Sequence, residues 1–306
     1  MVKLMSEITN STIPSESWAM RVLNRLGMER LAWSLRRLHC PVPPDALVLE
    51  VGSGGNPYPR ANVLLDAYEE THERHWVPLI TDRPFVFGFV ERLPFKTGAF
   101  DFLIASHVLE HSLAPEKTLA EFSRVARAGY IEVPDAFLER VNPYKDHRLE
   151  ITLRNDTLQI YKKSGWIMDA ELVELYEDRV KLLLTKDLMP RRPFDFHVRY
   201  YWLAQIKYQI KNPEVDLSWT APSDRAITTL ETSRPKVGQL RDQLVTLTRN
   251  LFSQTARNRR IDVVSLLRCP TCMSEKELVR QEGGLQCEQC AVVYPMKNGV
   301  PVMYPR

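Results

Sequence analysis

The stretch Leu47-Val-Leu-Glu-Val-Gly-Ser-Gly-Gly55 decides the fold of this 306-residue chain. Its apolar half has the length of a short buried strand, and the glycines that follow are typical of a loop that a ligand approaches closely, because glycine has no Cβ and tolerates positive φ. A second apolar run, Asn62-Val-Leu-Leu-Asp66, also ends in a carboxylate. Short apolar runs separated by helical stretches predict a parallel sheet that is buried on both faces.

In such a sheet, ligands bind outside the carboxyl ends of the strands, where the strand order reverses. We therefore predict that Gly52 and Gly54 lie against a ligand and that Asp66 accepts hydrogen bonds from ribose hydroxyls. The loop after Val51 lacks the third glycine and the helix N-terminus that a pyrophosphate requires, which disfavours a dinucleotide. The alternatives are a tight turn at the glycines and a turn-starting role for Asp66.

Four further segments follow in order: Glu91-Arg-Leu-Pro-Phe95, Ala99-Phe-Asp-Phe-Leu-Ile104, Ser106-His-Val-Leu-Glu-His111 and Tyr130-Ile-Glu-Val-Pro134. Together with the first two runs, they make residues 45–168 resemble the Rossmann-like class of S-adenosylmethionine (SAM)-dependent methyltransferases, in particular its small-molecule branch. This resemblance implies an α/β fold with a mostly parallel sheet and helices on both faces. It also implies SAM as the cofactor, which carries no phosphate.

The resemblance assigns roles to residues around the cofactor. Glu50 meets the ammonium end of the methionine moiety, with helix capping or a salt bridge as the alternative. The backbone of Val90 and Glu91 lies against the adenine, and residues 105–107 face the methyl group. The implied cofactor-binding residues are Glu50, Gly52, Gly54, Asp66, Val90, Glu91 and Ser106.

Two departures from the family pattern concern the pocket wall. Only seven residues, including Pro57 and Pro59, separate Gly54 from Asn62, whereas a parallel crossover normally needs about a dozen or more. The usual first helix is therefore expected to be missing or reduced to a turn. The second departure is Phe89, where relatives often place an Asp that contacts adenine. Phe89 either stacks on the adenine or belongs to the core.

The candidate catalytic residues are three histidines, because a hydroxyl acceptor benefits from a general base and histidine is the usual choice. The resemblance places His107, directly after the fourth strand, nearest to the reaction. His111 and His147 follow in rank, and for His111 a packing role at the start of a helix is the stronger alternative. The SAM sulfonium is already activated, so the protein mainly aligns methyl group and nucleophile.

A second signal stands near the C-terminus, where Cys269-Pro-Thr-Cys272 and Cys287-Glu-Gln-Cys290 are separated by 14 residues. Two such pairs suit a tetrahedral site of four thiolates, and a closed shell of this kind predicts a structural Zn²⁺. Disulfides and a rubredoxin-like iron site are the alternatives. The surrounding residues 264–303 resemble the zinc-ribbon family that includes methyltransferase activators, which implies that the ribbon packs on the catalytic domain.

The sequence predicts four parts. They are an N-terminal amphipathic helical flank (1–40), a methyltransferase domain with substrate-side insertions (41–210), a linker and connecting helix (211–262) and a zinc ribbon (263–306). Within the second part, Asn155-Asp156 between two apolar runs predicts a β-hairpin. Residues 17–38 of the flank are predicted to form one helix that begins at Ser15 or Ser17. The apolar face of the connecting helix, over 237–258, is expected to dock on the catalytic domain.

Composition excludes some classes of protein. No apolar run is long enough to cross a membrane, and a net charge of +3 does not demand a nucleic-acid partner. Reduced cysteines and the absence of a secretory signal favour the cytoplasm. The sequence leaves the oligomeric state open.

Three functions compete on this basis. The first is methyl transfer to a small-molecule hydroxyl, such as a saccharide or a lipid-linked acceptor. The second is methylation of RNA or protein, with the ribbon as a built-in activator; a nucleic-acid partner is less favoured, because Ser106-His107 stands where an amide or base methyltransferase carries its motif. The third is a non-catalytic methyltransferase-like scaffold.

Overall fold

A computed structural model describes the chain in seven stretches: residues 13–71, 76–166, 171, 175–176, 180–220, 246–247 and 249–306. The strands are β1 (Val48–Val51), β2 (Val63–Asp66), β3 (Phe85–Phe87), β4 (Phe100–Ser106), β5 (Ala126–Pro134), β6 (Leu149–Arg154), β7 (Thr157–Lys162), β8 (His197–Leu203), β9 (Tyr208–Ile210), β10 (Leu278–Gln281), β11 (Gly284–Cys287), β12 (Val293–Lys297) and β13 (Val300–Pro301). The principal helices are α1 (Trp18–Arg25), α2 (Glu29–Leu35), α3 (Pro115–Val125) and α4 (Ala136–Val141).

The centre of the molecule is a six-stranded sheet of order β3-β2-β1-β4-β5-β8. All pairs are parallel except β5 and β8, which are antiparallel. β1 and β2 are buried at every position, as expected for strands covered on both faces. The predicted α/β fold with a mostly parallel sheet is confirmed.

The strand order reverses at β1, which pairs with β2 on one side and with β4 on the other. The carboxyl ends of β1, β2 and β4 therefore share one edge of the sheet. The chain leaves β1 through Gly52 and Gly54, whose φ values are +63° and +55°. Glycine suits both positions, since side-chain-bearing residues rarely adopt this left-handed conformation. This edge is the place where ligands of open α/β sheets bind.

The crossover from β1 to β2 contains no helix over residues 52–62, all of which the structure describes. A loop replaces it, as the sequence predicts. Tyr58 of this loop is 1% exposed, and its backbone N–H donates to Glu50 Oε2 at 2.7 Å. The buried carboxyl group of Glu50 therefore supports the loop.

The N-terminal flank differs from the predicted single helix. Ser17 caps α1, since its Oγ accepts from the Met20 N–H at 3.2 Å, but the helix ends before Gly27. Gly27 has a φ of +71°, and the chain turns there into α2. A left-handed glycine is a common helix terminator, and the apolar periodicity continues across it without showing the break.

The predicted hairpin is confirmed: β6 and β7 pair antiparallel around Asn155 and Asp156, which have φ values of +50° and +57°. Two successive positive φ values are typical of a two-residue hairpin turn. β7 also pairs in parallel with β9, which completes a three-stranded sheet.

Much of the predicted linker and connecting helix, including residues 221–245, lies outside the described residues. In the described part, Leu247 and Leu251 are 64% and 73% exposed, so the expected docking of this apolar face is wrong for these two side chains. The segment is held by polar contacts instead. Arg257 donates to the carbonyls of Pro44, Asp45 and Ala46, and Asn258 Oδ1 accepts from Asn62 at 2.8 Å.

The C-terminal ribbon, residues 263–306, contains a four-stranded sheet of order β10-β11-β12-β13. Its backbone joins the central sheet, because Val302 bridges in parallel to Phe87 and the Met303 N–H donates to the Phe87 carbonyl at 2.8 Å. Leu267 and Met303 are fully buried in the same apolar cluster as Val86 of β3. The ribbon and the catalytic sheet therefore share one core.

A buried ion pair adds to this junction. Arg268, which is 4% exposed, donates to both oxygens of the Glu121 carboxylate on α3, at 2.9 and 3.1 Å. Its backbone N–H donates to the Pro94 carbonyl at 3.0 Å. Paired and hydrogen-bonded in this way, the charges tolerate their burial. The ribbon is thus fixed to the sheet by strand pairing, apolar packing and charge.

Candidate functional site

Two carboxylates stand at the carboxyl ends of β1 and β2. Glu50 is 3% exposed and Asp66 is 6% exposed. Asp66 Oδ2 accepts from the Gly54 N–H at 3.0 Å, and Oδ1 accepts from the Tyr68 N–H at 3.2 Å. Asp66 therefore shapes the glycine loop from the neighbouring strand end. These two contacts correspond to the turn role, one of the two alternatives that the sequence gives for this residue.

Burial has a large effect on Glu50. It raises the pKa of this carboxyl to about 8, although Arg37 and the Tyr58 N–H oppose the change. The side chain is therefore mainly protonated at neutral pH. A cationic group placed beside it would favour the ionised form and lower the pKa again.

The glycine loop is closely packed against the turn that follows β4. A Cβ added at Gly52 would lie 2.3 Å from Val108 Cγ2, which is far inside contact distance. The left-handed conformation and this packing both exclude larger residues at position 52. The loop after β1 and the turn after β4 therefore form one continuous wall.

At the end of β3, the chain enters a turn at Val90–Arg92. The Glu91 carboxylate accepts a hydrogen bond from Ser112 Oγ at 2.9 Å. Phe89 is half-buried, with ring centroids 6.1 Å from Tyr68 and 5.0 Å from Tyr304. Tyr304 belongs to the ribbon, and its hydroxyl donates to the Ala67 carbonyl at 2.6 Å.

Beyond β4, a fully buried carboxylate, Glu132 of β5, organises the strand ends. Arg36 binds it with two nitrogens, at 2.7 and 3.0 Å, Ser106 Oγ donates to it at 3.1 Å, and the Tyr130 hydroxyl also donates. Burial would raise the pKa of Glu132, but the hydrogen bonds and charge of Arg36 outweigh it and hold the pKa at about 2. This contact ties the N-terminal flank to the carboxyl edge of the sheet.

His107 directly follows β4 and has a φ of +57°, an uncommon conformation for a residue with a side chain. Its backbone N–H donates to the Glu132 carbonyl at 2.8 Å, which holds the backbone in place. The ring is 44% exposed, with Nδ1 3.3 Å from Glu110 Oε1 and Nε2 3.7 Å from Glu132 Oε1. The His107 side chain is therefore partly exposed beside the end of β4.

His111 and His147 are brought together, although 35 residues separate them in sequence. Their rings are perpendicular, with centroids 4.7 Å apart, and the carboxylate of Glu110 lies beside both. His147 Nδ1 is 2.7 Å from Glu139 Oε2. All three predicted catalytic histidines thus lie around Glu110, a residue for which the sequence analysis assigns no role.

The four ribbon cysteines converge as predicted. Cys269 and Cys290 sulfurs are 3.6 Å apart, as are those of Cys272 and Cys287, and all four lie within 4.8 Å of one another. These separations are too long for disulfides and close to the roughly 3.8 Å that a tetrahedron of sulfurs around Zn²⁺ requires. Tyr294 OH lies 3.1 Å from Cys269 Sγ. The cluster fits a zinc ion held by a closed shell of four thiolates.

Several residues of this edge escape sequence reasoning: Arg36, Tyr58, Glu110, Glu132 and Tyr304. Two of them carry a usable signal, because Glu110 and Glu132 are charges inside otherwise buried segments, where an unpaired charge is costly. The pairing of Arg36 with Glu132 joins positions 96 residues apart and leaves no local pattern in the sequence.

Comparison with known proteins agrees with this geometry. Residues 61–131, which run from β2 to β5, match the model of a methyltransferase domain family. No curated protein matches the sequence at a significant level. This part of the chain is therefore similar to a methyltransferase domain, which supports an enzyme that transfers methyl groups.

Among solved structures, the chain is similar to a SAM-dependent methyltransferase from Thermotoga maritima, with 19% identity, 43% of this chain and 73% of that chain covered, and a TM-score of 0.30. It is also similar to a structure of the Haloferax volcanii Trm112 methyltransferase activator in complex with a protein described as a methyltransferase, with 16% identity, 65% and 100% covered, and a TM-score of 0.35. At these values the likenesses do not bear on the substrate or partners of this chain. Within the described residues, no helix combines the length and apolar character needed to cross a membrane.

Stability should depend on pH through Glu132. Its pKa is lowered from 4.5 to about 2, so its contribution is complete above about pH 4.5 and is lost as the pH falls towards 2. We expect Glu132→Gln to lower the free energy of unfolding by about 3 kcal/mol at pH 6, and the gap to wild type to narrow below pH 4. Urea unfolding of wild type and variant at pH 6 and below pH 4 measures this difference in free energy.

The matched control is Glu150→Gln. Glu150 pairs with the mostly exposed Arg140 at 2.7 Å, so its loss should cost less than about 1 kcal/mol. Equal losses for the two variants, or a gap for Glu132→Gln that does not change with pH, would contradict the assigned role of Glu132.

Proposed function

We propose that this enzyme transfers the methyl group of SAM to a hydroxyl of a small molecule, such as a saccharide or a lipid-linked acceptor. One observation carries the proposal. At the reversal of strand order, the carboxylates of Glu50 and Asp66 flank two left-handed glycines. This arrangement offers a partner for an ammonium group, a partner for ribose hydroxyls and a backbone that a ligand approaches closely.

The proposed cofactor lies along the carboxyl ends of β2, β1 and β4. Its adenine is placed at the backbone of Val90 and Glu91, beside the aromatic group of Tyr68, Phe89 and Tyr304. Its ribose is placed at Asp66 and its methionine moiety at Glu50, Gly52 and Gly54. The methyl group then points towards Ser106 and His107, since these residues end β4 on the far side of the loop.

The acceptor is proposed to bind beside His107. The helix α2 lies on this side of the sheet, because its Trp33 ring is 4.7 Å from the His197 ring, and Arg36, directly after the helix, is bound to Glu132. The His107 and His197 rings are 5.7 Å apart and perpendicular. A position flanked by rings and a helix favours a small acceptor over a folded macromolecule. His107 is our candidate for the residue that positions the acceptor hydroxyl.

The ribbon is proposed to bind one structural Zn²⁺ through Cys269, Cys272, Cys287 and Cys290. A module of about forty residues buries little core, so metal supplies much of its folding energy. The continuous core between Leu267, Met303 and Val86 supports a stabilising role towards the catalytic sheet in cis.

Loss of the Asp66 charge should weaken cofactor binding. We expect Asp66→Asn to raise the dissociation constant of S-adenosylhomocysteine roughly 10- to 100-fold, the effect of losing a charge-assisted hydrogen bond. Calorimetric titration of the full chain measures this dissociation constant.

The matched control is Asp101→Asn. Asp101 Oδ2 accepts from the Leu47 N–H at 2.7 Å and lies at the opposite edge of the same sheet, so its replacement should leave the affinity unchanged. No binding by folded wild type would refute the proposed function.

Cofactor binding should release a proton from Glu50. With a pKa of about 8, this carboxyl is mainly protonated at pH 7, and an ammonium group beside it favours ionisation. We expect release of nearly one proton per S-adenosylhomocysteine at pH 7, decreasing above pH 8. Titrations in buffers of different ionisation enthalpy measure it. Glu50→Gln should abolish the release and Glu116→Gln, on α3, should retain it; unchanged release in Glu50→Gln would place the ammonium group elsewhere.

The acceptor class is tested with a labelled methyl donor. We expect label in hydroxyl-bearing small molecules from a panel of saccharides and lipid-linked sugars. We expect His107→Gln to reduce turnover about 100-fold, because misplacing the reacting groups has an effect of this size. The affinity for S-adenosylhomocysteine should stay within about twofold, since His107 lies on the acceptor side. Label in RNA or protein instead would establish the macromolecular alternative.

A further inference from the structure

We infer that Glu110, His111 and His147 form a binding site for one divalent transition-metal ion, separate from the four-cysteine cluster of the ribbon. One ligand atom from each of the three residues lies within 4.8 Å of the other two. Two imidazoles and one carboxylate are a donor set that suits Zn²⁺, Fe²⁺, Co²⁺ and Mn²⁺.

The carboxylate of Glu110 is the central observation. Glu110 is 1% exposed, and neither of its oxygens accepts a hydrogen bond from a described residue. His107 Nδ1 lies at ion-pair distance, 3.3 Å, from Oε1, so Oε2 is the oxygen that has no partner among the described residues. Buried carboxylates are normally hydrogen-bonded, because a carboxylate that has lost its water without gaining a partner is strongly destabilising. A cation between the Glu110 oxygens and the two imidazoles removes this cost.

The backbone of Glu110 is fixed, because its carbonyl accepts from the Arg148 N–H at 2.6 Å, one residue beyond His147.

His147 is held in the orientation of a ligand. Its Nδ1 lies 2.7 Å from Glu139 Oε2, so Nδ1–H donates to this carboxylate and Nε2 is the nitrogen left to bind an ion. Glu139 is 2% exposed and is fixed in turn by Lys163 Nζ at 2.7 Å and by the Tyr144 N–H at 3.1 Å. A carboxylate that binds the second nitrogen of a histidine is the usual outer support of a metal-bound imidazole.

The spacing agrees with an ion that bridges the three side chains. Metal–ligand bonds of about 2.0–2.2 Å place neighbouring ligand atoms roughly 3–3.6 Å apart, so atoms within 4.8 Å close on an ion with side-chain shifts on the order of 1 Å. His111 is half-buried, whereas Glu110 and His147 are buried, which gives an ion access from the side of His111. Three protein ligands leave at least one coordination position open.

The site adjoins the proposed reaction centre. Glu110 and His111 belong to the turn after β4, and Val108 of the same turn contacts Gly52 of the glycine loop. On the basis of the proposed function, the open position of the ion would take the acceptor oxygen, and the ion would lower the pKa of the hydroxyl as a Lewis acid does. The metal site itself rests on the geometry of the three side chains alone.

The test uses the full chain with zinc in the ribbon and Co²⁺ as the probe. We expect wild type to bind one Co²⁺ per chain beyond the ribbon zinc, with visible d–d bands and no sulfur-to-cobalt charge-transfer band. Elemental analysis gives the stoichiometry. A sulfur-to-cobalt charge-transfer band would show that Co²⁺ has replaced zinc in the ribbon. That band, together with a total of one metal ion per chain, would overturn the inference.

Variants assign the ligands. Glu110→Gln and His147→Gln should each weaken Co²⁺ binding at least 100-fold, and Glu139→Gln, which loses only the support of His147, should weaken it about 10- to 100-fold. The matched control is His39→Gln, remote from the cluster, which should bind Co²⁺ as wild type does. Cobalt binding that both ligand variants retain would overturn the inference. Retained ribbon zinc reports folding, and if Glu110→Gln does not fold, His147→Gln decides. Binding of S-adenosylhomocysteine is measured in parallel, so a failure of the metal site and a failure of the cofactor site are distinguished.

Discussion

The Glu132 carboxylate is the contact on which the arrangement of the site depends. It lies inside the central sheet with no exposure to water, and a charge in that position is tolerated only when its partners are complete. Arg36 supplies two of those hydrogen bonds from the N-terminal flank, and Ser106 supplies another from the end of β4. The backbone of Glu132 also holds His107. The flank, β4 and β5 are therefore fixed relative to one another beside His107.

The cofactor side has a different kind of support. In place of a helix after β1, the chain has a loop whose Tyr58 N–H is bonded to the Glu50 carboxyl. Glu50, the residue proposed to meet an ammonium group, therefore also holds this loop. Burial raises the pKa of its carboxyl to about 8, so the group is mainly neutral at pH 7. Under the proposed function, protonation of Glu50 and cofactor binding are linked for this reason.

The sequence predicts those features that rest on local patterns. Apolar runs that end in Gly or Asp locate β1 and β2, Asn155-Asp156 locates the hairpin, and the paired cysteines locate the ribbon cluster. The break of the flank at Gly27 is missed because apolar spacing continues through it, although a glycine inside a helical pattern is a signal for a helix end. Which charged side chains contact one another cannot be predicted from a local sequence pattern.

Long-range contacts account for most of what the sequence does not reveal about the site. In the sequence, Arg36 is one of several cations of a basic amphipathic helix; in the structure, it is bound to Glu132. His111 and His147 read as separate catalytic candidates until the fold places both beside Glu110. The sequence ranks the three histidines separately, and their relation to a common carboxylate depends on the turn after β4 meeting the segment after α4. Residue type identifies the candidate histidines in the sequence, and the topology of the fold determines which of them share a carboxylate.

The ribbon also shapes the carboxyl edge of the central sheet, in addition to packing against it. Strand pairing of Val302 with Phe87 places the two residues that follow at the carboxyl edge of the sheet. Met303 enters the shared core, and Tyr304 reaches Phe89 and the carbonyl of Ala67, which directly follows Asp66. Whatever orders the ribbon therefore orders one wall of the edge at which Asp66 lies. Because the ribbon buries Leu267 and Met303 in the core of the sheet, its folding and the shape of that wall depend on each other.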